Sequence, residues 1–174
     1  MANQRRIEPH ESAQQVLARF EIEEGPVPVD RLARKMGAVL RFSPLDSELS
    51  GMIFIKEGVP IIGVNSLHHP NRQRFTIAHE LGHLELHREE ISKAVHVDKE
   101  FPVLMRDQKA TTGTELLEVQ ANQFAAELLM PKKLLDMAMK GGLSDIDADI
   151  PIEELARKFR VSKQALEFRI RNWF

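Results

Sequence analysis

Apolar residues recur at helical spacing over some stretches of the chain and form short β-branched runs over others. Ala13, Val16, Leu17 and Phe20 share one face of a predicted helix over residues 11–21. Gly25-Pro26 breaks the chain. Val29, Leu32, Ala33 and Met36 then form a second helical stripe that Gly37 stops. Ala38–Phe42 reads as a strand. Gly51–Ile55 and Val59–Val64, separated by Lys56-Glu57-Gly58, read as a hairpin. Residues 71–87 return to the helical period, with Ile77, Leu81 and Leu84 at i, i+4 and i+7. No period is visible over 89–113, which reads as a long loop with room for a short strand. Thr114–Met130 is strongly amphipathic and ends at Pro131. Lys132–Lys140 is a further helix ended by Gly141-Gly142. An acidic linker, 144–149, leads to two short helices around a turn at Arg160-Val161-Ser162. Helices, a small sheet, then helices again predict an α+β fold, not alternating βαβ units.

Size and composition narrow the class. A chain of 174 residues fits one domain, or one with a small appendage. We divide it at 1–143 for the main domain and 144–174 for a helical appendage. A formal charge of −2 provides no whole-chain basic field, so nucleic acid is not the expected partner. Cys is 0, which removes disulfides, thiolate nucleophiles and cysteine-bound zinc. Any metal must be held by His and carboxylates. The N-terminus has no apolar run of signal-peptide type, and no apolar stretch is long enough to span a membrane. A cytoplasmic location is expected.

The candidate chemistry lies at His79-Glu80-Leu81-Gly82-His83. Histidines at i and i+4 stand one turn apart on the same helix face, so two imidazoles can converge on one Zn²⁺. Glu80 is offset by about 100° around the axis from His79. It flanks the ion, where it can take a proton from the attacking water, which is the mechanical content of an H-E-x-x-H motif. The structural alternative is two solvated histidines on a surface helix. His87 continues the series but lies about 6 Å up the axis from His83, too far to share an ion with His79. It reads as a helix-end histidine favoured by the dipole, or as a second-layer or substrate contact.

A catalytic zinc site takes a third protein ligand and leaves one position open. Glu89 and Leu86 stand where a metzincin needs His and Gly, so that class is excluded. The better candidate is Glu118, on the next long helix. It shares a face with Asn122, Ala125 and Leu129, toward the core edge among small residues. A carboxylate there needs a cation or strong hydrogen bonds. Asn122, one turn on, can accept from the far nitrogen of a ligand histidine. Glu115 is the competing ligand, and an ordinary surface acid is the alternative for Glu118.

Arg74-Phe75-Thr76-Ile77-Ala78-His79-Glu80-Leu81-Gly82-His83 followed by Glu118-x-x-Ala121-Asn122-x-Phe124-Ala125-x-x-Leu128-Leu129-Met130-Pro131 resembles the ImmA/IrrE family of metallo-endopeptidases. The resemblance extends to Val27-Pro28-Val29-Asp30 and the two strands, and covers roughly residues 10–170. It implies a zincin-like domain, with an active-site helix beside a small antiparallel or mixed sheet and a glutamate helix behind it. It implies zinc held by His79, His83 and Glu118, with Glu80 as general base. It also implies an intracellular protease acting on a helix-turn-helix repressor and so releasing phage, mobile-element or stress genes.

The expected reaction is hydrolysis of a peptide bond, the substrate strand pairing with the open edge of the Gly51–Val64 hairpin. Tyr is 0, so no phenol can support the oxyanion. Loss of one such donor costs about 10²–10³ in rate, which predicts slow, substrate-restricted cleavage. The alternative is a zinc-containing regulator that inactivates a repressor or toxin partner by contact, without proteolysis. In the last two helices Arg157, Lys158, Arg160, Lys163, Arg169 and Arg171 outnumber three Glu, a local +3 that could touch phosphate. Leu155, Phe159, Val161, Leu166, Ile170 and Trp173 favour packing on the domain or on a partner. Arg5-Arg6, Arg72 and Arg74 read as solvated charges.

Overall fold

A computed structural model describes residues 8–93, 95–99, 113–141 and 152–172. Helix α1 (Pro9–Arg19) starts with a proline, whose missing N–H costs nothing in a first turn. It buries Ala13, Val16 and Leu17, three of the four residues of the predicted stripe. Helix α2 (Val29–Lys35) ends where expected. Gly37 takes φ +85°, its N–H bonds the Arg34 carbonyl, and the Ala38 N–H bonds that of Ala33. This pair closes the helix and requires a left-handed residue that glycine supplies without strain.

Strands β1 (Val39–Ser43), β2 (Leu49–Lys56) and β3 (Val59–Asn65) follow. β2 and β3 form the antiparallel hairpin, turned by Glu57 and Gly58, both at positive φ. After helix α3 (Pro70–Leu86) come helix α4 (Arg88–Lys93) and strand β4 (His96–Lys99). The sheet order is β1-β3-β2-β4, with β1 parallel to β3 and β4 antiparallel to β2. The sheet is therefore mixed. This corrects the hairpin's role: β1 and β4 already pair with its two edges over Ile61–Asn65 and Leu49–Ile53, so those stretches are not open to a substrate strand.

The stretch expected to be a loop with room for a short strand carries β4 as that strand, and α4 besides. A six-residue helix burying only Ile91 shows no period, and β4 exists through its pairing with β2. Residues 100–112 of that stretch, the linker 144–149, Arg5-Arg6 and Trp173 lie outside the described residues.

Helices α5 (Gly113–Leu129) and α6 (Lys132–Gly141) match the two predicted amphipathic segments. The core gathers Ile53, Ile62 and Val64 from the sheet, Ile77 and Leu81 from α3, and Phe124 and Leu128 from α5. Helices α7 (Ile152–Phe159) and α8 (Lys163–Arg171) add Leu155, Phe159 and Leu166 to this same core. Arg160 between them sits at φ +54°, and Ser162 caps α8 by accepting from the Ala165 N–H at 3.1 Å. Among the described residues, no helix is long and apolar enough to cross a membrane.

Two buried arginines lock the last helices in place. Arg74 donates from Nη2 to the Val27 carbonyl at 2.9 Å and from Nε to the Arg160 carbonyl at 3.3 Å. It is 8% exposed, which corrects its reading as a solvated charge. Burial lowers its pKa below the ordinary arginine value, Arg160 adds to that, and Asp30 opposes it. Arg72 is exposed but donates to Ser50 Oγ at 2.9 Å. Arg169 pairs with Glu127 and donates from Nε to the Met130 carbonyl at 3.3 Å. Glu127 also accepts from Gln14 Nε2 at 3.1 Å and from the Lys132 N–H at 3.3 Å. Four helices therefore meet at one carboxylate. Charged side chains carry a desolvation cost in a core, so this network is weak ground for added stability, although removing one partner alone is costly.

Candidate metal centre

Helix α3 runs between the sheet and α5 and presents a different stripe to each. Its motif histidines are buried, His79 at 2% and His83 at 1% exposure, which disposes of two solvated surface histidines. Their rings meet edge to face with centroids 4.7 Å apart and Nε2 atoms 3.0 Å apart. Glu118 of α5 reaches across, with Oε2 3.3 Å from His79 Nε2 and Oε1 3.4 Å from His83 Nε2. One ligand atom from each of the three residues lies within 4.8 Å of the others.

These spacings can be tested against a metal. Ligand bonds of about 2.0–2.1 Å at tetrahedral angles put ligand atoms about 3.3–3.4 Å apart. The two His–Glu distances match, and the His–His distance is a few tenths of an ångström short. Two imidazoles and one carboxylate are the donor set of a catalytic zinc site with one open position. The residues therefore fit a divalent ion. Among the described residues, Glu115 does not join this group.

His79 Nδ1 lies 3.0 Å from Asn122 Oδ1. The amide oxygen can only accept, so Nδ1 carries the proton and Nε2 turns its lone pair toward the ligand point. Phe75, one turn before His79, stacks on its ring with centroids 6.4 Å apart and planes inclined by 30°. His87 is buried at 2%, forms the C-cap of α3 and stands 5.5 Å ring to ring from His83, outside the ligand group.

Glu118 reaches the histidines because α3 and α5 run unusually close at Gly82. A Cβ on Gly82 would stand 3.0 Å from both the Cα and the carbonyl oxygen of Ala121, and 3.2 Å from Phe124 Cδ1. Glycine costs about 1 kcal/mol in a helix interior relative to alanine, and here it secures proximity. The small residues around Glu118 stand out in the sequence of α5; Gly82 on α3 is the partner they need. The signal for Gly82 was there, because a glycine inside a helical pattern costs about 1 kcal/mol against alanine and so marks a position to explain.

Glu80 is fully buried, one residue around the helix from His79, and lies beside β2. Its Oε1 is 3.4 Å from where a Cβ on Gly51 would be. The histidines thus face α5, and Glu80 lies beside them on the sheet side.

The model of the IrrE N-terminal-like domain, Peptidase_M78, matches residues 33–171. The chain belongs to the Peptidase_M78 family. The ImmA/IrrE resemblance read from the motifs is therefore correct, and the match takes in both C-terminal helices. Among solved structures, this Peptidase_M78 chain is similar to a Mycobacterium tuberculosis transcriptional regulator. The TM-score is 0.62 and the identity 19%, over 93% of this chain and 46% of that one. That likeness shows a shared fold, and the chain spans about half the length of that regulator. No curated protein matches the chain.

Proposed function

We propose that this Peptidase_M78 chain is a zinc-dependent endopeptidase of zincin-like fold that acts in the cytoplasm on a regulatory protein, a helix-turn-helix repressor. The observation that carries the reading is the convergence of His79, His83 and Glu118 from two helices, with the buried Glu80 carboxylate beside them.

In this reading His79, His83 and Glu118 hold the ion. A bound zinc would supply a Lewis acid, bringing the pKa of water down toward about 7 and polarising the scissile carbonyl. Glu80 does the proton work: its carboxylate takes a proton from the attacking water and returns it to the leaving amine. Asn122 keeps His79 in the tautomer that frees Nε2. With Tyr at 0, no phenol assists the oxyanion, and turnover is slow.

The test is incubation with the helix-turn-helix protein encoded beside the gene, read by mass spectrometry. The wild type cuts it at a defined bond. Glu80→Gln keeps its metal and does not cut. Repressor inactivation that survives Glu80→Gln would overturn the peptidase reading in favour of inhibition by contact.

A further inference from the structure

The strand beside Glu80 is irregular at one point. Leu49 pairs with Lys99 of β4 and Gly51 pairs with Asp98, so two steps on β2 match one on β4. The extra residue makes a β-bulge, which bends a strand and re-aims its neighbours, and bulges concentrate beside active sites. Here the bulge meets one stripe of α3. Arg72, Thr76 and Glu80 stand at i, i+4 and i+8 on that stripe. Arg72 donates to Ser50 Oγ, the side chain of the extra residue. Thr76 and Glu80 face Gly51.

Gly51 has no room for a side chain. A Cβ there would overlap the Thr76 methyl, stand 2.8 Å from the Gly63 carbonyl oxygen and come into contact with Glu80 Oε1 at 3.4 Å. The Gly63 oxygen belongs to the paired strand β3 and cannot retreat without opening the hairpin. Relief falls on α3 at Thr76, one turn before Glu80, whose carboxylate the new methyl would also touch. Thr76 is 2% exposed and Glu80 0%, so neither can swing into solvent. The backbone of Gly51 is not in the left-handed region, so space alone demands glycine here. The metal ligands face α5 on the adjacent stripe, away from this contact.

We propose that Gly51 is a positioning residue for Glu80: the bulge of β2 brings a bare backbone against the carboxylate and sets its place beside the metal ligands. The inference rests on the peptidase reading of Glu80. It predicts that a methyl at position 51 disturbs the proton acceptor and leaves the ligand set intact.

The test uses the full chain loaded with Co²⁺ and titrated with acetohydroxamate, followed by visible absorption. A hydroxamate chelates the ion and donates a proton or hydrogen bond to a carboxylate beside it. Loss of a hydrogen bond to a charged group weakens binding about tenfold or more. Glu80→Gln shows that loss. Gly51→Ala binds the same amount of cobalt as wild type and also binds acetohydroxamate about tenfold more weakly. Combined with Glu80→Gln it weakens binding no further, because both act through one group. Thr76→Ser in the Gly51→Ala background removes the overlapped methyl and recovers part of the affinity. If Gly51→Ala does not fold, this double variant carries the comparison, with binding weaker than wild type in support and equal binding against. Wild-type affinity in Gly51→Ala, or a loss that adds fully to that of Glu80→Gln, overturns the proposal. An unchanged affinity in Glu80→Gln itself overturns the reading of Glu80, and the proposal with it.

Discussion

Replacing Gly82 by alanine tests whether helix spacing makes the metal site. The new Cβ stands 3.0 Å from two backbone atoms of Ala121. Comfortable carbon contacts lie at about 3.5–4.0 Å, so α5 must move away from α3 by about 0.5 Å. Glu118 sits three residues from Ala121 on α5 and moves with it, while His79 and His83 stay on α3. Metal–ligand distances tolerate about ±0.2 Å, so the shift exceeds what the site can absorb without repacking. Disturbance of groups that orient metal ligands costs about 10–100-fold in affinity, or about 1.4–2.8 kcal/mol. Helix propensity acts the other way, because alanine gains about 1 kcal/mol over glycine in a helix interior. Gly82→Ala therefore weakens zinc by one to two orders of magnitude while the metal-free protein unfolds near the wild-type temperature. Competition against a chromophoric chelator measures the first, and thermal unfolding of the apo-protein the second. Zinc affinity within about twofold of wild type would refute the argument, because the helices would then separate without moving the ligand.

Three further outcomes follow from the same contacts. Asn122→Leu removes the acceptor for His79 Nδ1 and weakens zinc about 10–100-fold, measured by the same competition. Arg169→Met strands the Glu127 carboxylate in the core and lowers unfolding free energy by about 3–5 kcal/mol in urea, whereas Glu127→Leu with Arg169→Met costs less than the single change. His79→Ala loses the metal, and full retention on dialysis followed by elemental analysis would discredit the ligand set.

Much of the site was legible before any folding. An i, i+4 histidine pair is a local property, since 3.6 residues per turn put both rings on one face wherever the helix goes. The absence of cysteine left only imidazoles and carboxylates as ligands. The apolar periods marked α1, α2, α3, α5 and α6 to within a few residues, and the hairpin stood out by its β-branched runs. Where local pattern was weak, the reading was coarser: 89–113 left room for a short strand without placing it, and α4 was missed. Strand β4 is held by pairing with β2, and α4 is too short to show a period. Arg74 and Arg169 looked like other surface charges, because nothing in their neighbouring residues announces the distant carbonyls and carboxylate that receive them.

Chain order and periodicity determined that two histidines and a flanking glutamate would share a helix, and that a second helix would offer carboxylates. Only the tertiary structure decided that Glu118 and not Glu115 meets the histidines, because that choice depends on how far α5 slides along α3 and how closely it approaches. The approach is set by Gly82 against Ala121, and the place of Glu80 by Gly51 against Thr76. Each is a contact between segments 25 or more residues apart in sequence, where the deciding quantity is a few tenths of an ångström of packing. Local propensity carries no record of such distances; close-packed interiors do.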